Sequence, residues 1–233
     1  IMALPSPKYD LTDIYVFSLD EKVPFRPLLV KEERLLQSPD SPRDVVLKYI
    51  SESITNCSLG RVDGTTLPIF DLQSIWIALT KLSKVEMPDW LITCMECATV
   101  NTVSLELDDF RIVYDETHAP RFLLKDDLIV TMRYPTAGEI MESTKVEEYV
   151  EFYDMASICI ESVEHDGEVI TDISIEEKVE FIDNLTKREF EGIRLFFATI
   201  PVVQNAIKFD CVECETENTA IMNGYFGDAE YGE

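Results

Sequence analysis

The spacing of apolar positions changes twice along the chain. Up to about residue 89 it is helical. Val46, Ile50 and Ile54 recur every four residues in "SPDSPRDVVLKYISESITNC", which reads as a capped helix. Ser41 suits the cap, Pro42 the first helical position, and Asp44 the positive end of the helix dipole. A second helix is expected in "FDLQSIWIALTKLSK", with Asp71 as its cap and Leu72, Ile75, Trp76 and Leu79 along one face. From Trp90 to Arg133 the period moves towards two. "NTVSLELDD" alternates, with Val103, Leu105 and Leu107 on one side, and "FRIVY" and "DLIVTMRY" are further strand candidates that end at Pro135.

The helical period then returns. Thr144-x-x-Glu147, Ser174-x-x-Glu177 and Thr186-x-x-Glu189 each have the form of a capping box. Behind the first, Tyr149, Phe152, Tyr153, Ala156, Ile160 and Val163 mark one face; behind the second come Val179, Ile182 and Leu185. Behind the third come Phe190, Ile193, Phe196, Phe197 and Ile200, and Pro201 stops the helix. "AIKFDCVECETENTAIMNGYF" closes the pattern as two short strands around a turn.

These periods predict an α+β chain of five stretches. Residues 1–27, with four prolines and few periodic apolar positions, read as an extended arm; 28–89 are helical; 90–140 form a β-region. Residues 141–204 form an inserted helical block, and 205–233 carry a last turn and a tail. No internal repeat is visible beyond two cysteine pairs. No apolar run is long enough to span a bilayer, and the first residues are too polar and proline-rich for a signal peptide.

Charge narrows the choice of partner. Twenty basic residues stand against 45 acidic ones, a net charge of −25. A nucleic-acid binder draws most of its affinity from neutralising phosphate, so this balance argues against nucleic acid and equally against an anionic membrane surface. The block 141–191 holds 16 acidic and 4 basic residues, the pattern of solvated helix faces that can also serve for docking on protein.

The most specific chemistry lies in "CMECAT", at Cys94 and Cys97, and "CVECET", at Cys211 and Cys214. With no secretion signal, six cysteines point to a reducing compartment, where paired Cys-x-x-Cys is more often metal-binding or redox than a structural disulfide. Two residues between a pair let both sulfurs face one ion from a tight turn, and two such turns complete a four-thiolate zinc site. Each pair also has strand-like flanks, so together they read as a zinc ribbon whose halves are split by residues 98–210. Such a site is filled by protein ligands and is structural, not catalytic. The competing readings are two redox dithiols, two local disulfides, or unrelated buried thiols. The position after each second cysteine often carries glycine, which tolerates a positive φ; here it is Ala98 and Glu215. Cys57 and Cys159 fall on helical segments and read as buried free thiols.

Little else suggests catalysis or a small-molecule substrate. His118 and His165 sit in turn-like contexts, the eight glycines form no phosphate loop, and no nucleophile elbow is present. Asp108-Asp109 and Asp126-Asp127 read as exposed turns, because a hard-cation site needs several converging oxygens.

Several stretches, taken in order, resemble one family. They are "MALPSPKY", "FRPLLVKEERLL" (25–36), a helix ending in Asn56-Cys57, "LPIFDLQSIWIAL" (67–79) and "ITCMECATVNTVSLEL" (92–107). "LIVTMRYPT" (128–136), "FIDNLTKREFEGIRLFFATIP" (181–201), "FDCVECETEN" (209–218) and a late "GYF" follow. The chain is similar to the baseplate hub and hub-assembly proteins of T-even-like contractile-tailed bacteriophages. The resemblance implies a non-enzymatic viral tail protein, built into the baseplate hub of the virion or assisting its assembly in the host cytoplasm. It also implies other baseplate and hub proteins as partners. The arm 1–27 and "FRPLLVKEERLL" are the expected contact segments. The alternative is a zinc-ribbon regulator bound to basic nucleic-acid machinery.

Overall fold

Much of the proline-rich start is folded back on itself instead of extended. In the computed structural model, which describes residues 8–33, 43–85, 89–143, 152–224 and 229–231, β1 (Thr12–Val16) pairs antiparallel with β2 (Glu21–Phe25). Val16, Val23 and Phe25 are buried, which corrects the reading of this stretch as an arm. Pro24 is tolerated because a two-stranded hairpin leaves edge positions where a missing N–H costs no ladder bond.

Three helices follow: α1 (Val30–Glu33), α2 (Arg43–Cys57) and α3 (Ile69–Leu82). Ser41, Pro42 and the side chain of Asp44 lie outside the described residues. Leu47, Ile50, Ile54 and Cys57 bury one face of α2. Gly64 lies so close to this helix that a Cβ there would stand 2.3 Å from the Ser51 carbonyl oxygen. On α3, Leu72, Ile75, Trp76 and Leu79 are fully buried, as their spacing predicts. Asp71 is not the cap of α3. Pro68 holds that position, and Asp71 sits buried in the first turn, where its carboxylate accepts the N–H groups of Phe17 and Ser18 at 2.8 Å each. The acid thus fixes the β1–β2 turn, and it does so at the positive end of the helix dipole.

Next come β3 (Trp90–Thr93), β4 (Val100–Val103) and β5 (Arg111–Val113), then β6 (Arg121–Lys125), β7 (Leu128–Met132), α4 (Ala137–Ser143) and α5 (Phe152–Cys159). The chain continues as β8 (Ile160–His165), β9 (Glu168–Ile170), α6 (Ile175–Asp183) and α7 (Lys187–Ala198). It closes with β10 (Val202–Asp210), β11 (Glu217–Asn223) and β12 (Ala229–Tyr231). The strands form small sheets in the orders β1-β2, β3-β4, β6-β7-β8-β9 and β12-β11-β10-β5. Within them β1–β2, β3–β4, β6–β7, β7–β8, β8–β9, β10–β11 and β11–β12 pair antiparallel.

The chain forms two compact units, residues 1–112 with 202–233, and residues 113–201. In the first, beside the helices, Ile92, Leu105, Ile207, Ala220 and Met222 form a core between the hairpins. In the second, Val130, Met132, Ile160 and Val163 of the sheet meet Ala156, Cys159, Ile182, Phe190, Ile193 and Phe196 of the helices. The capping boxes at Ser174 and Thr186 are both closed, side chain to backbone in each direction. The box expected at Thr144, together with Tyr149, lies outside the described residues. Glu176, Glu177 and Glu180 of α6 face solvent, whereas on α7 exposed Lys187, Arg188 and Arg194 accompany Glu191; both helices turn apolar residues inward.

The block read as helical, with a break at "HDGEV", therefore contains a hairpin. Ile160 and Val163 continue the helical spacing of α5 yet lie on β8. Opposite Thr131–Met132 the register shifts, pairing Thr131 with Ser162 and Met132 with Ile160. The extra residue, Glu161, turns Ile160 and Val163 to the same face three positions apart, which imitates a helix. Asp166 and Gly167, at φ 51° and 78°, make the two-residue turn into β9.

One arrangement occurs twice and is not evident from the sequence. Arg26 follows β2; its guanidinium bonds the Pro27 carbonyl and, two-pronged, the Glu32 carboxylate, which also accepts the Leu29 N–H. Arg133 follows β7 and does the same with the Tyr134 carbonyl, Glu139 and the Thr136 N–H. Each arginine's own N–H donates, at 2.9 Å, to the carbonyl of a cysteine ending a later helix, Cys57 or Cys159. Hairpin, arginine, short helix, cysteine-ended helix, further helix and Cys-x-x-Cys hairpin thus recur in the same order, the second time with the β8–β9 hairpin and one more helix added before the Cys-x-x-Cys turn.

Candidate metal centre

Both Cys-x-x-Cys segments are hairpin turns. Cys94–Cys97 joins β3 to β4 and Cys211–Cys214 joins β10 to β11. Their backbones are bonded alike. Cys94 N–H donates to the Thr99 carbonyl (2.8 Å) and Ala98 N–H to the Cys94 carbonyl (3.0 Å). Cys211 N–H donates to Thr216 (3.0 Å) and Glu215 N–H to Cys211 (3.0 Å). Closing the turn this way requires a left-handed residue after the second cysteine. Ala98 and Glu215 occupy it at φ 61° and 57°, the conformation that glycine adopts without cost.

The four sulfurs converge. Cys94 Sγ lies 3.7 Å from Cys214 Sγ, Cys97 Sγ lies 3.5 Å from Cys211 Sγ, and all four fall within 4.8 Å of one another. All are free thiols, well beyond the roughly 2.05 Å of a disulfide. Four thiolates about 2.3 Å from one ion would sit about 3.8 Å apart at the corners of a tetrahedron, and the observed contacts are close to that edge. Neither pair opens a helix, as a thioredoxin-like dithiol would. Cys94 and Cys211 are buried, Cys97 is exposed and Cys214 is intermediate.

The turns also prepare thiolates. The Cys214 amide, then that of Glu213, pulls the Cys211 thiol down to about 6. The Cys97 amide, ahead of that of Glu96, lowers Cys94 in the same way. Cys97 is different. Bonds from the Thr99 hydroxyl and amide favour its thiolate, but lost hydration and the thiols of Cys214 and Cys211 outweigh them and raise it to about 11. One sulfur in each turn is therefore easier to ionise than an ordinary cysteine, and an ion would have to draw the proton from Cys97.

Two asparagines complete the arrangement and escape the sequence reading. Asn101 accepts the Val212 N–H at 2.9 Å, and Asn218 accepts the Met95 N–H at 3.1 Å. The available signal was positional, since each stands four residues after the second cysteine of its turn.

The remaining candidates lie elsewhere. Cys57 and Cys159 are fully buried, and burial pushes both thiols up to about 12. His118 bonds Thr199 and Tyr134, Asp108 pairs with Lys81, and Asp109 ends a short 3-10 turn. Asp126 lies in the β6–β7 turn at φ 48°. Asp127, His165 and Asp166 approach one another at the surface, with Asp127 accepting the Asp166 N–H. Among the described residues, no helix is long and apolar enough to cross a membrane.

The sequence matches the family model for the T4 bacteriophage base plate protein over residues 7–225. The chain belongs to that family. No curated protein and no solved structure matches it. Family membership makes this a structural protein of a phage baseplate, with both hairpin turns inside the matched span.

Proposed function

We propose that the chain is a non-enzymatic hub component or hub-assembly factor of a contractile-tail baseplate. It acts by docking on other baseplate proteins, and Zn²⁺ held by Cys94, Cys97, Cys211 and Cys214 serves as its structural clasp. The family match over residues 7–225 carries the baseplate role. The convergence of four sulfurs at close to tetrahedral spacing supports the ion. Four protein ligands leave no position for substrate, so the ion's contribution is folding energy.

Docking cannot rest on "FRPLLVKEE" as a free segment. Phe25, Arg26, Leu28 and Glu32 are buried, and among these residues Val30 is the most exposed large apolar side chain. The acidic outer face of α6, with Glu176, Glu177, Glu180 and Asp183, is better suited to a basic protein partner.

Mass spectrometry of purified particles separates the two roles. Stoichiometric presence identifies a hub component; absence from particles that nevertheless require the gene identifies an assembly factor. Intact baseplates from phage lacking the chain sink both. Elemental analysis of the purified protein should give about one zinc per chain, and trace metal alone would remove the clasp.

A further inference from the structure

The geometry points to Asn101 and Asn218 as reciprocal positioning residues of the sulfur cluster, each tying its own hairpin to a backbone amide and a ligand sulfur of the other. This inference rests on the four-thiolate reading above. Asn101 stands on β4 and Asn218 on β11, and they are only 2% and 6% exposed. Asn101 Nδ2 donates to the Thr99 carbonyl of its own turn at 2.9 Å and approaches Cys211 Sγ at 3.8 Å, while its Oδ1 accepts the Val212 N–H. Asn218 Nδ2 donates to the Thr216 carbonyl at 2.7 Å and approaches Cys94 Sγ at 3.5 Å, while its Oδ1 accepts the Met95 N–H.

Each carboxamide is therefore used at both ends, and its orientation is determined. A flipped amide would set NH₂ against a backbone N–H and oxygen against both a carbonyl and a sulfur. Asparagine suits the position because it offers an acceptor and two donors on a short stem. Aspartate would keep the amide contact but would turn a carboxylate on a thiolate and a carbonyl. Partners that orient ligands and donate to sulfur typically change metal affinity by about 10–100-fold. Here a four-thiolate zinc site would carry a formal charge of −2 with Glu96 and Glu213 in the same turns, so donors to sulfur matter for holding the ion.

The two roles separate experimentally in the full-length chain titrated with Co²⁺. Asn101→Asp and Asn218→Asp should each weaken Co²⁺ binding about 10–100-fold in chelator competition. They should also move the thiolate-to-cobalt charge-transfer band to lower energy, because a sulfur without its N–H donor gives up charge more easily. Protection of the Val212 and Met95 amides from hydrogen exchange should persist in these variants. Asn101→Ala should free the Val212 amide and Asn218→Ala the Met95 amide. Each single variant keeps the other asparagine, so half of the tie remains. Wild-type affinity and an unmoved band in both Asp variants would overturn the sulfur role. A wild-type chain with no Co²⁺ band would instead remove the four-thiolate reading. The tie between hairpins would then be decided by exchange alone, and unchanged Val212 and Met95 amides in the Ala variants would overturn it.

Discussion

Arg26 and Glu32 meet in a two-pronged ion pair, 2.8 and 2.7 Å long, with both residues no more than 5% exposed. Burial alone would push the Glu32 carboxyl up, but the Arg26 guanidinium and the Leu29 amide hold it below the usual carboxylate range. The pair gains little over an apolar substitute, yet half of it cannot be left alone. Removing one partner from a buried pair costs about 3–5 kcal/mol, because the remaining charge has neither water nor a counter-ion. Arg26→Ala should therefore lower stability by about that amount in urea unfolding. Arg133→Ala should cost less, since the side chains of Arg133 and Glu139 are 36% and 27% exposed and water replaces part of what is lost. Equal losses in the two variants would contradict the buried-charge account.

The contrast between these pairs shows what the sequence could convey. Amphipathic spacing located α2, α3, α6 and α7, because a helix that buries one face must repeat its apolar residues there. The cysteine pairs conveyed a candidate site across more than a hundred residues, because the two turns share one Cys-x-x-Cys form. The β1–β2 hairpin was concealed by prolines that an edge tolerates. At β8 a bulge spaced Ile160 and Val163 like a helix, although Asp166-Gly167 already signalled the turn. In the recurring Arg–Glu–Cys arrangement the arginine and glutamate stand six residues apart each time, but the cysteine that accepts the arginine's N–H is far along the chain, which no local pattern reveals. The Asn101 and Asn218 ties were legible only by comparing equal offsets in the two turns.

Ala98 and Glu215 bear a backbone cost that glycine would remove. A left-handed conformation costs a side-chain-bearing residue about 1–2 kcal/mol. Glycine recovers this but loses about 0.5–1 kcal/mol through the greater freedom of the unfolded chain. Ala98→Gly and Glu215→Gly should each stabilise the protein by about 0.5–1 kcal/mol, seen as a rise in melting temperature at fixed metal load. A fall in both variants would show that these side chains make stabilising contacts that outweigh the strain.

His118 makes the second unit sensitive to mild acid. Its ring is half-buried, stacked against Tyr134 and tilted towards Phe196, with Nδ1 2.9 Å from the Thr199 hydroxyl and Nε2 3.0 Å from the Tyr134 hydroxyl. Burial lowers its pKa, against a smaller upward pull from Asp115. The folded state thus binds its proton less readily than the unfolded chain. The associated stability is present above the unfolded value of about 6.5 and is lost as pH falls below it. Melting temperature should drop between about pH 7 and 5.5, and drop less in His118→Gln, which has no ring to protonate. Parallel profiles for the two proteins would show that other groups account for the acid sensitivity.

The cysteines should react in three groups. Cys57 and Cys159 are fully buried, with thiols raised to about 12, so a maleimide should reach neither in the native protein. With zinc bound, Cys94, Cys97, Cys211 and Cys214 should also resist labelling, although Cys97 is exposed, because a coordinated thiolate is a poor nucleophile while the ion holds it. A strong chelator should release four thiols, and denaturant the remaining two of the six. Cys97→Ser should lower the melting temperature of the zinc-loaded protein, because the ion's binding free energy is also folding free energy. That difference should shrink once both proteins are stripped of metal. Four thiols labelling freely before chelator is added, or a Cys97→Ser loss that persists unchanged without metal, would mean that the hairpins are held by their own hydrogen bonds and not by an ion.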